Sequence, residues 1–492
     1  MQPIVSAQQM IQADQHTIQS GTPGETLMEQ AARACFECLN VHLSDRDEIA
    51  ILCGKGNNGG DGFALARILT RAGFRTKVYC YTDPNALKGE AAHHYAKMCA
   101  ADVEPQIVQA PELPIDSRTT WIVDALFGTG LKRPLKSPWD QLIQAINAFP
   151  ARRLAIDLPS GLNASLGSVD GAHIKADLTV TFNALKVAHA LTPACLACGE
   201  VQVRDIGIQF PDDHHSDLYF LDMQDYQREP RHLNAHKGNF GCLAILGGFR
   251  GMEGAANLAA RASLRFGVGK VRILTDTPES GRFHSDSVMV GSAAKPIDPN
   301  QYQAWVIGPG LGRDRENWKP LDALALENHS VVWDADGLFY LMARQHKTIG
   351  RQWVLTPHPG EAGQLLNCSA GEIQRDRLSA IHRLGDHFPN AWILLKGYRS
   401  LIRSPQGHVL VIGTGNPALA TAGSGDVLAG MIGALLAQGL AIEDSLVLAT
   451  LRHGYAADRW IETHCAHGMI AEDIIDDLAW PVSHKDPLRP QP

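Results

Sequence analysis

Short β-rich runs alternate with helical patterns along almost the whole chain. They read EIAILC, TKVYCYT, TTWIVDAL, RRLAIDL and LTVTFNA, then GCLAILGG, GKVRILT, QAWVIGPG, SVVWDADG, QWVLTPH and NAWILLKG. Most of these runs are too apolar to give one face to water, so helices must cover both sides, and strands joined through helices run parallel. The expected fold class is therefore α/β. A chain of 492 residues has room for two or three such domains. The stretch FPDDHHSDLYFLDMQDYQREPRHLNAHK, from Phe210 to Lys237, is polar and weakly periodic and is expected to be the junction, dividing the chain into domains 1–220 and 221–492. No short repeat is visible and the glycine-rich motifs of the halves differ, which predicts two distinct α/β domains.

Composition removes several classes of function. The formal charge of −8, the isoelectric point near 6.2 and the lack of a dense Lys/Arg block argue against nucleic acid or an anionic membrane as partner. The run VLAGMIGALLAQGLAI is short and broken by Gln438, so it reads as a buried helix. The opening MQPIVSAQQMIQADQ lacks the basic region and apolar core of a secretion signal, and a cytoplasmic, reducing location is expected. Ten cysteines in a chain this long do not make a disulfide framework. Cys35-x-x-Cys38 and Cys195-x-x-Cys198 admit a zinc site, but buried reduced thiols are the preferred reading.

The first half carries CGKGNNGGDGFALAR (53–67). Gly54, Gly56 and Gly59 satisfy G-x-G-x-x-G between a strand-like run and a helix-like run (Phe63 to Leu69), and Asp83 follows the next strand. On spacing alone this is a dinucleotide fingerprint. However, Asp61 sits where that helix is expected to begin, and a carboxylate capping the helix would repel a phosphate. The plain alternative makes Asn57, Asn58 and Asp61 turn and cap residues. Other strand ends add polar groups: Asp124 followed by FGTGLKRP, and Asp157 followed by LPSG, which includes Ser160. Asn58, Asp124 and Ser160 offer hard oxygens with one formal charge, a set suited to a monovalent cation. Lys132 and Asp157 are a candidate acid/base pair, although Lys132 taken alone reads more readily as a surface lysine. The loop Gly128-Thr129-Gly130 offers anion-binding amides.

The second half carries TAGSGDVLAGMIGALLAQG, in which Gly423, Ser424 and Gly425 open a long apolar helix. A glycine-rich turn at a helix start binds phosphate through its amides. Asp426, beside that turn, suits a base for a hydroxyl about to be phosphorylated, or else it caps the helix. No P-loop pattern occurs. GPGLGRD, WDADGLFYL, TPHPGEAGQLL and LLKGYRSLI each follow or contain a strand end.

GNNGGDG, VDALFGTGLKRP and AIDLPSGL, in this order, resemble the amino-terminal domain of the bifunctional NAD(P)H-hydrate repair enzymes. The motifs of the second half, with HKGNFG and GGFRGMEGAA, resemble the ribokinase-like dehydratase domain of the same family. The resemblance implies a Rossmann-like three-layer epimerase domain followed by a ribokinase-like α/β dehydratase domain. In the first it implies potassium at Asn58, Asp124 and Ser160, and hydrate contacts at Asn57, Asn58, Gly59, Gly60, Asp61, Gly128, Thr129, Gly130, Leu131, Lys132, Arg133 and Pro134. Catalysis there would involve Asp157, with Lys132 matching a basic position of the family loop. In the second it implies nucleotide contacts at Lys396, Gly397, Tyr398, Arg399, Ser400 and Gly425. Hydrate contacts would fall at Ala255, Gly310, His358 and Asp426, with Glu361 organising a phosphate-bound Mg²⁺. The implied partners are NADHX, NADPHX and ADP, and a homo-oligomer is expected. Two other readings compete: a ribokinase-like vitamin-precursor kinase with an attached nucleotide-binding domain, and a non-catalytic scaffold in the first half.

Overall fold

The computed structural model describes residues 1–211, 215–228, 231–283, 285–344 and 350–480. Asp212 to His214, Glu229 and Pro230 of the expected junction, and the tail from Pro481, lie outside the described residues. The chain divides into two compact units, Gln2–Leu218 and Tyr219–Pro492, the latter together with Met1. The stretch expected as junction contains a strand, Leu218–Leu221, and a 3₁₀ turn at Met223–Asp225.

The first unit is built on a seven-stranded sheet. Its strands are β1 (Glu48–Cys53), β2 (Arg75–Cys80), β3 (Gln106–Ile107), β4 (Trp121–Ala125), β5 (Arg152–Ile156), β6 (Leu178–Phe182) and β7 (Glu200–Arg204). They lie in the order β3-β2-β1-β4-β5-β6-β7 and every pairing is parallel. Successive residues of β1 point to opposite faces: Ile49, Ile51 and Cys53 enter one apolar core, and Ala50 and Leu52 the other. Both faces are thus covered, which gives the expected three layers. The chain turns back between β1 and β4, so their carboxyl ends flank the switch point where such sheets bind ligands. A separate parallel pair joins Gln2–Val5 to Leu185–Lys186, with Val5 opposite Lys186.

The helix after β1 differs from expectation. It runs Asn57–Arg71, with Gly56 at its amino-terminal cap, so Asp61 lies inside it and not at its start. The glycines explain the early start. A β-carbon on Gly54 would run into the Leu126 carbonyl oxygen, and one on Gly59 into the Gly54 carbonyl oxygen. These glycines let the helix press onto the β1 and β4 ends.

The second unit contains β8 (Cys242–Leu246), β9 (Lys270–Thr275), β10 (Met289–Ser292), β11 (Ala304–Ile307), β12 (Ser330–Trp333), β13 (Trp353–Leu355), β14 (Trp392–Leu395), β15 (Leu401–Arg403) and β16 (Val409–Ile412). Their order is β10-β9-β8-β11-β12-β13-β14-β15-β16, followed by Leu218–Leu221. Pairing is parallel from β10 to β14 and antiparallel through β15 and β16. The helix Ser424–Ala437 is buried from Val427 to Ala437, as an all-apolar surface demands. It packs on the helix Glu253–Arg265, where a β-carbon on Gly430 would meet the Ala259 carbonyl. Among the described residues no helix is long and apolar enough to cross a membrane.

If Gly54 is required for close packing, Gly54→Ala should destabilise the first unit by about 1–3 kcal/mol, the range for an inserted methyl that forces backbone shifts. Gly56 has open space where its β-carbon would go, so Gly56→Ala is the control and should leave stability within about 0.5 kcal/mol. Urea unfolding of the two variants beside the parent decides this; equal midpoints would remove the packing role.

Candidate active sites

In the first unit three strand ends deliver polar groups to the switch point. Asp124, on β4, is fully buried. It accepts hydrogen bonds from the Ser160 amide (2.7 Å), the Ser160 hydroxyl (2.6 Å) and the Leu126 amide (3.2 Å). Burial pushes its carboxyl up to about 6, against those three hydrogen bonds. The Phe127 amide in turn donates to Ser160 Oγ at 2.9 Å, which fixes the start of the loop after β4. Asn58 is buried in the first turn of its helix, and a β-carbon on Gly128 would lie 3.3 Å from its Cβ. Neither amide atom of Asn58 has a hydrogen-bond partner among the described residues. Asn58 thus packs against the loop whose start Ser160 and Asp124 anchor, and an orphaned buried amide with one carboxylate and one hydroxyl is a donor set that fits a monovalent cation.

Asp157 ends β5 in the left-handed region, at φ 62°. Such backbone strain in a residue other than glycine persists only where the surroundings over-determine it. Here they do. Lys186 Nζ donates to Asp157 Oδ1 at 2.7 Å, to Thr181 Oγ1 at 2.8 Å and to the Phe182 carbonyl at 3.2 Å. The Thr181 hydroxyl donates to the same Oδ1 at 2.9 Å. His189 Nε2–H donates to the Asp157 carbonyl at 2.9 Å while its Nδ1 accepts the Lys186 amide at 3.0 Å. Burial and Lys186 bring His189 down to about 4, so the imidazole is neutral. Burial alone would raise Asp157, but the charge and hydrogen bond of Lys186 outweigh it and hold the carboxyl below the usual range.

Two further carboxyls share this corner. Asp61 is pushed well above the ordinary range by burial, then by the charges of Asp157 and Asp14. Asp14, on the helix Ala7–Gln19, is pushed up to about 6 by burial and Asp157, with Lys186 pulling the other way. The expected Asp157–Lys132 pair is not formed. Lys132 is exposed, as are Gly130, Arg133 and Pro134, while Gly128, Thr129 and Leu131 are half-buried. The cation on Asp157 is Lys186, which stands only three residues beyond the run LTVTFN and follows no glycine motif. Among Asn57, Gly59 and Gly60, only Asn57 is exposed.

The second unit gathers its charges around the start of the helix Ser424–Ala437, whose cap Gly423 has φ 88°. Lys396 Nζ lies 2.6 Å from Asp334 Oδ1 and 3.8 Å from Glu361 Oε2, and a β-carbon on Gly425 would sit 3.4 Å from it. Asp334 Oδ1 also accepts the Thr356 hydroxyl at 2.7 Å. Burial would lower Lys396, but Asp334, Glu361 and Asp426 hold it above its ordinary value. Asp426 is pushed up to about 7 by burial and by Asp334, with Lys396 offsetting only part and Glu361 and Asp336 adding to the rise. Burial likewise raises Glu361, against the charge of Lys396.

His358 caps the helix Pro359–Leu365: its Nδ1 accepts the amides of Gly360 (3.0 Å) and Glu361 (3.2 Å), and its side chain is 55% exposed. Glu361 answers by accepting the His358 amide at 2.8 Å. Gly310, at φ 62°, would bring a β-carbon within 3.3 Å of Ala255 Cβ, so these two residues face each other. Gly397 and Arg399 both have positive φ, Ser400 Oγ donates to the Gly397 carbonyl at 2.8 Å, and Tyr398 is exposed. Asp336 accepts the Gly312 amide and Arg313 Nε, each at 3.0 Å. Buried His453 donates to the Ser424 carbonyl at 2.9 Å. Sequence reasoning quoted WDADGLFYL but assigned Asp334 and Asp336 no role, and it missed Thr356 and His453. The strand-end position of Asp334 was the available signal.

Cys35 and Cys38 are buried on the helix Gly24–Asn40, and Cys38 Sγ accepts Arg204 Nε at 3.0 Å. Among the described residues no three His, Cys, Asp or Glu side chains are grouped to hold a metal.

The family model described as YjeF-related protein N-terminus matches residues 24–188, and that described as NAD(P)H-hydrate dehydratase matches residues 243–479. A bifunctional NAD(P)H-hydrate repair enzyme of Coxiella burnetii is 37% identical over 96% of this chain and 97% of its own length. Its counterpart from Escherichia coli is 34% identical over 92% of this chain and 88% of its own. Among solved structures, the ADP/ATP-dependent NAD(P)H-hydrate dehydratase of Bacillus subtilis, co-crystallised with ATP and Mg²⁺, is 29% identical. It covers 51% of this chain and 91% of its own, with a TM-score of 0.45. With a relative of this identity matched along nearly its full length, the chain belongs to the family of bifunctional NAD(P)H-hydrate repair enzymes.

Proposed function

We propose that the first unit interconverts the R and S hydrates of NADH and NADPH, and that the second dehydrates the S form at the expense of ADP. The observation that carries this reading is a pair of half-buried carboxyls, one after a strand and one at a helix start, pushed in opposite directions: Lys186 at 2.7 Å holds Asp157 below the usual range, and burial and Asp334 push Asp426 up to about 7. The hydrate is a carbinolamine, with its hydroxyl on the carbon next to the ring nitrogen. In the first unit Asp157 takes the hydroxyl proton, the carbon–nitrogen bond opens to an aldehyde and an enamine nitrogen that gains a proton, and reclosure on the other face inverts the centre. Asn57 to Asp61 and the Gly128–Pro134 loop bind the rest of the hydrate. Potassium at Asn58, Asp124 and Ser160 supplies fixed positive charge beside that loop.

In the second unit Asp426 takes the ring hydroxyl proton as the terminal phosphoryl group of ADP moves to the oxygen, leaving AMP. The ring nitrogen then expels phosphate, and loss of a proton from the neighbouring carbon restores the dihydronicotinamide. Lys396, Gly425 and the Gly397–Ser400 loop bind nucleotide, Ala255, Gly310 and His358 bind hydrate, and Glu361 would hold a phosphate-bound Mg²⁺, which would neutralise charge on the transferred group. Buried thiols such as Cys35 and Cys38 suit a cytoplasmic location.

Asp157→Asn should abolish epimerisation while S-hydrate dehydration continues. The loss expected for a positioned base is roughly 10²–10⁴-fold. Given a mixed hydrate and ADP, the variant should restore absorbance of the dihydronicotinamide quickly for the S fraction and then only at the spontaneous rate. Complete consumption at parental speed rejects Asp157 as the base.

Asp426→Asn should lose dehydration by a similar factor, roughly 10²–10⁴-fold, while ADP affinity by calorimetry holds or tightens. In the parent, a base titrating at about 7 is protonated and idle below that pH, so kcat/KM for the S hydrate should fall as pH drops through 7. Turnover within a few-fold of the parent would reduce Asp426 to a helix residue, and accumulation of a stable phosphoester would favour a kinase.

A further inference from the structure

We propose that Lys186 is a positioning residue of the epimerisation: its ammonium and the Thr181 hydroxyl both engage Asp157 Oδ1, leaving Oδ2 as the oxygen that takes the ring hydroxyl proton. The proposal rests on the reading of Asp157 as the base and goes beyond it, because Lys186 does not itself reach the hydrate. Its side chain is 1% exposed, and its three donors are spent on Asp157, Thr181 and the Phe182 carbonyl. An ammonium satisfied three times within the unit is a fixed charge, not a proton shuttle.

The need for that charge follows from what surrounds Asp157. The helix Gly24–Asn40 brings the neutral Cys35 thiol, and the helices Ala7–Gln19 and Asn57–Arg71 bring Asp14 and Asp61, two carboxyls whose ionised forms and that of Asp157 disfavour one another. His189, on the turn Val187–Ala190, is neutral and spends its Nε2–H on the Asp157 backbone. Lys186 therefore carries the main burden of keeping the carboxylate ionised. Its location is itself pinned: Lys186 pairs with Val5, and His189 ties its amide to the Asp157 carbonyl. The same clamp accounts for the strained φ of Asp157, since carboxylate and carbonyl are gripped from one segment.

The proton then has a defined route. The ring hydroxyl gives it to Oδ2, the carbon–nitrogen bond breaks with its electrons going to nitrogen, which takes that proton from Oδ2, and after rotation the reverse transfers close the ring. Nothing is oxidised or reduced, and Asp157 ends as it began.

The test is the pH dependence of R-to-S conversion, followed by chromatographic separation of the epimers on the full chain, with the spontaneous rate subtracted. Lys186→Met leaves burial and the neighbouring carboxyls unopposed, so the acid limb of kcat/KM should move up by at least about one pH unit. Activity near neutrality should drop roughly 10- to 100-fold and return as pH rises. Lys186→Arg keeps the charge and should keep the limb near its parental place. S-hydrate dehydration by the second unit gives an internal measure of intact protein. Should Lys186→Met not fold, Thr181→Val removes the other Oδ1 donor, and a smaller shift in the same direction is expected. A limb that stays in place while activity falls uniformly, or a Lys186→Met enzyme with a parental profile, overturns the proposal. An active Asp157→Asn variant would instead overturn the reading on which it rests.

Discussion

A parallel strand buried on both faces carries no polar chemistry along its length, so whatever the protein does must happen where strands stop. β1 and β4 in the first unit and β11 and β13 in the second are closed to water, as are β5 from Leu154 and β12 from Val331, and their carboxyl ends open into loops. Asp124 and Asp157 stand at such ends, as does Asp334 after β12. The apolar interior decides where the charges go, and the charges then decide what each end does.

The two ends use a similar stock of groups in different pairings. In the first unit a buried lysine is given to Asp157, the proposed base, and holds its carboxyl below the usual range. In the second, the half-buried Lys396 is engaged by Asp334 at 2.6 Å, and Asp426 is left among three other acids. One arrangement holds its carboxyl below the usual range and the other lifts its carboxyl to about 7. Environments that push like groups apart are how two roles are assigned from one residue type. A lone ammonium at 2.6–2.7 Å therefore has opposite consequences in the two units, depending on which carboxylate it faces.

The strands and the α/β class were legible because a continuous apolar run bounded by glycine or proline has few other uses. Asn58, Asp124, Asp157 and Ser160 were legible because they stand at strand ends in dense motifs. Asp61 was legible as a site residue but misplaced as a cap, since a glycine-rich run reads as a turn unless the backbone it must press against is known. Lys186 was not legible. Its contact with Asp157 spans the length of a strand and a crossover, and a lysine after an apolar run reads as a surface residue. Asp14 was hidden for a similar reason: a polar residue in an amphipathic helix reads as solvent-facing, and only the third dimension turns it toward Asp157. Three-dimensional proximity among residues far apart in sequence is what single-sequence reasoning cannot supply.

The pairing of Val5 with Lys186 has a consequence for synthesis. The strand Gln2–Val5 is made long before Leu185–Lys186 and finds this partner only when nearly the whole unit has followed. Contacts that close so long a loop form late and slowly, after the local helix–strand units have condensed. During translation the opening segment must therefore wait, exposed, while the sheet assembles without it. The proton-transfer corner would be among the last parts of that unit to mature, and a nascent chain halted before residue 186 could hold most of a sheet yet none of the clamp on Asp157.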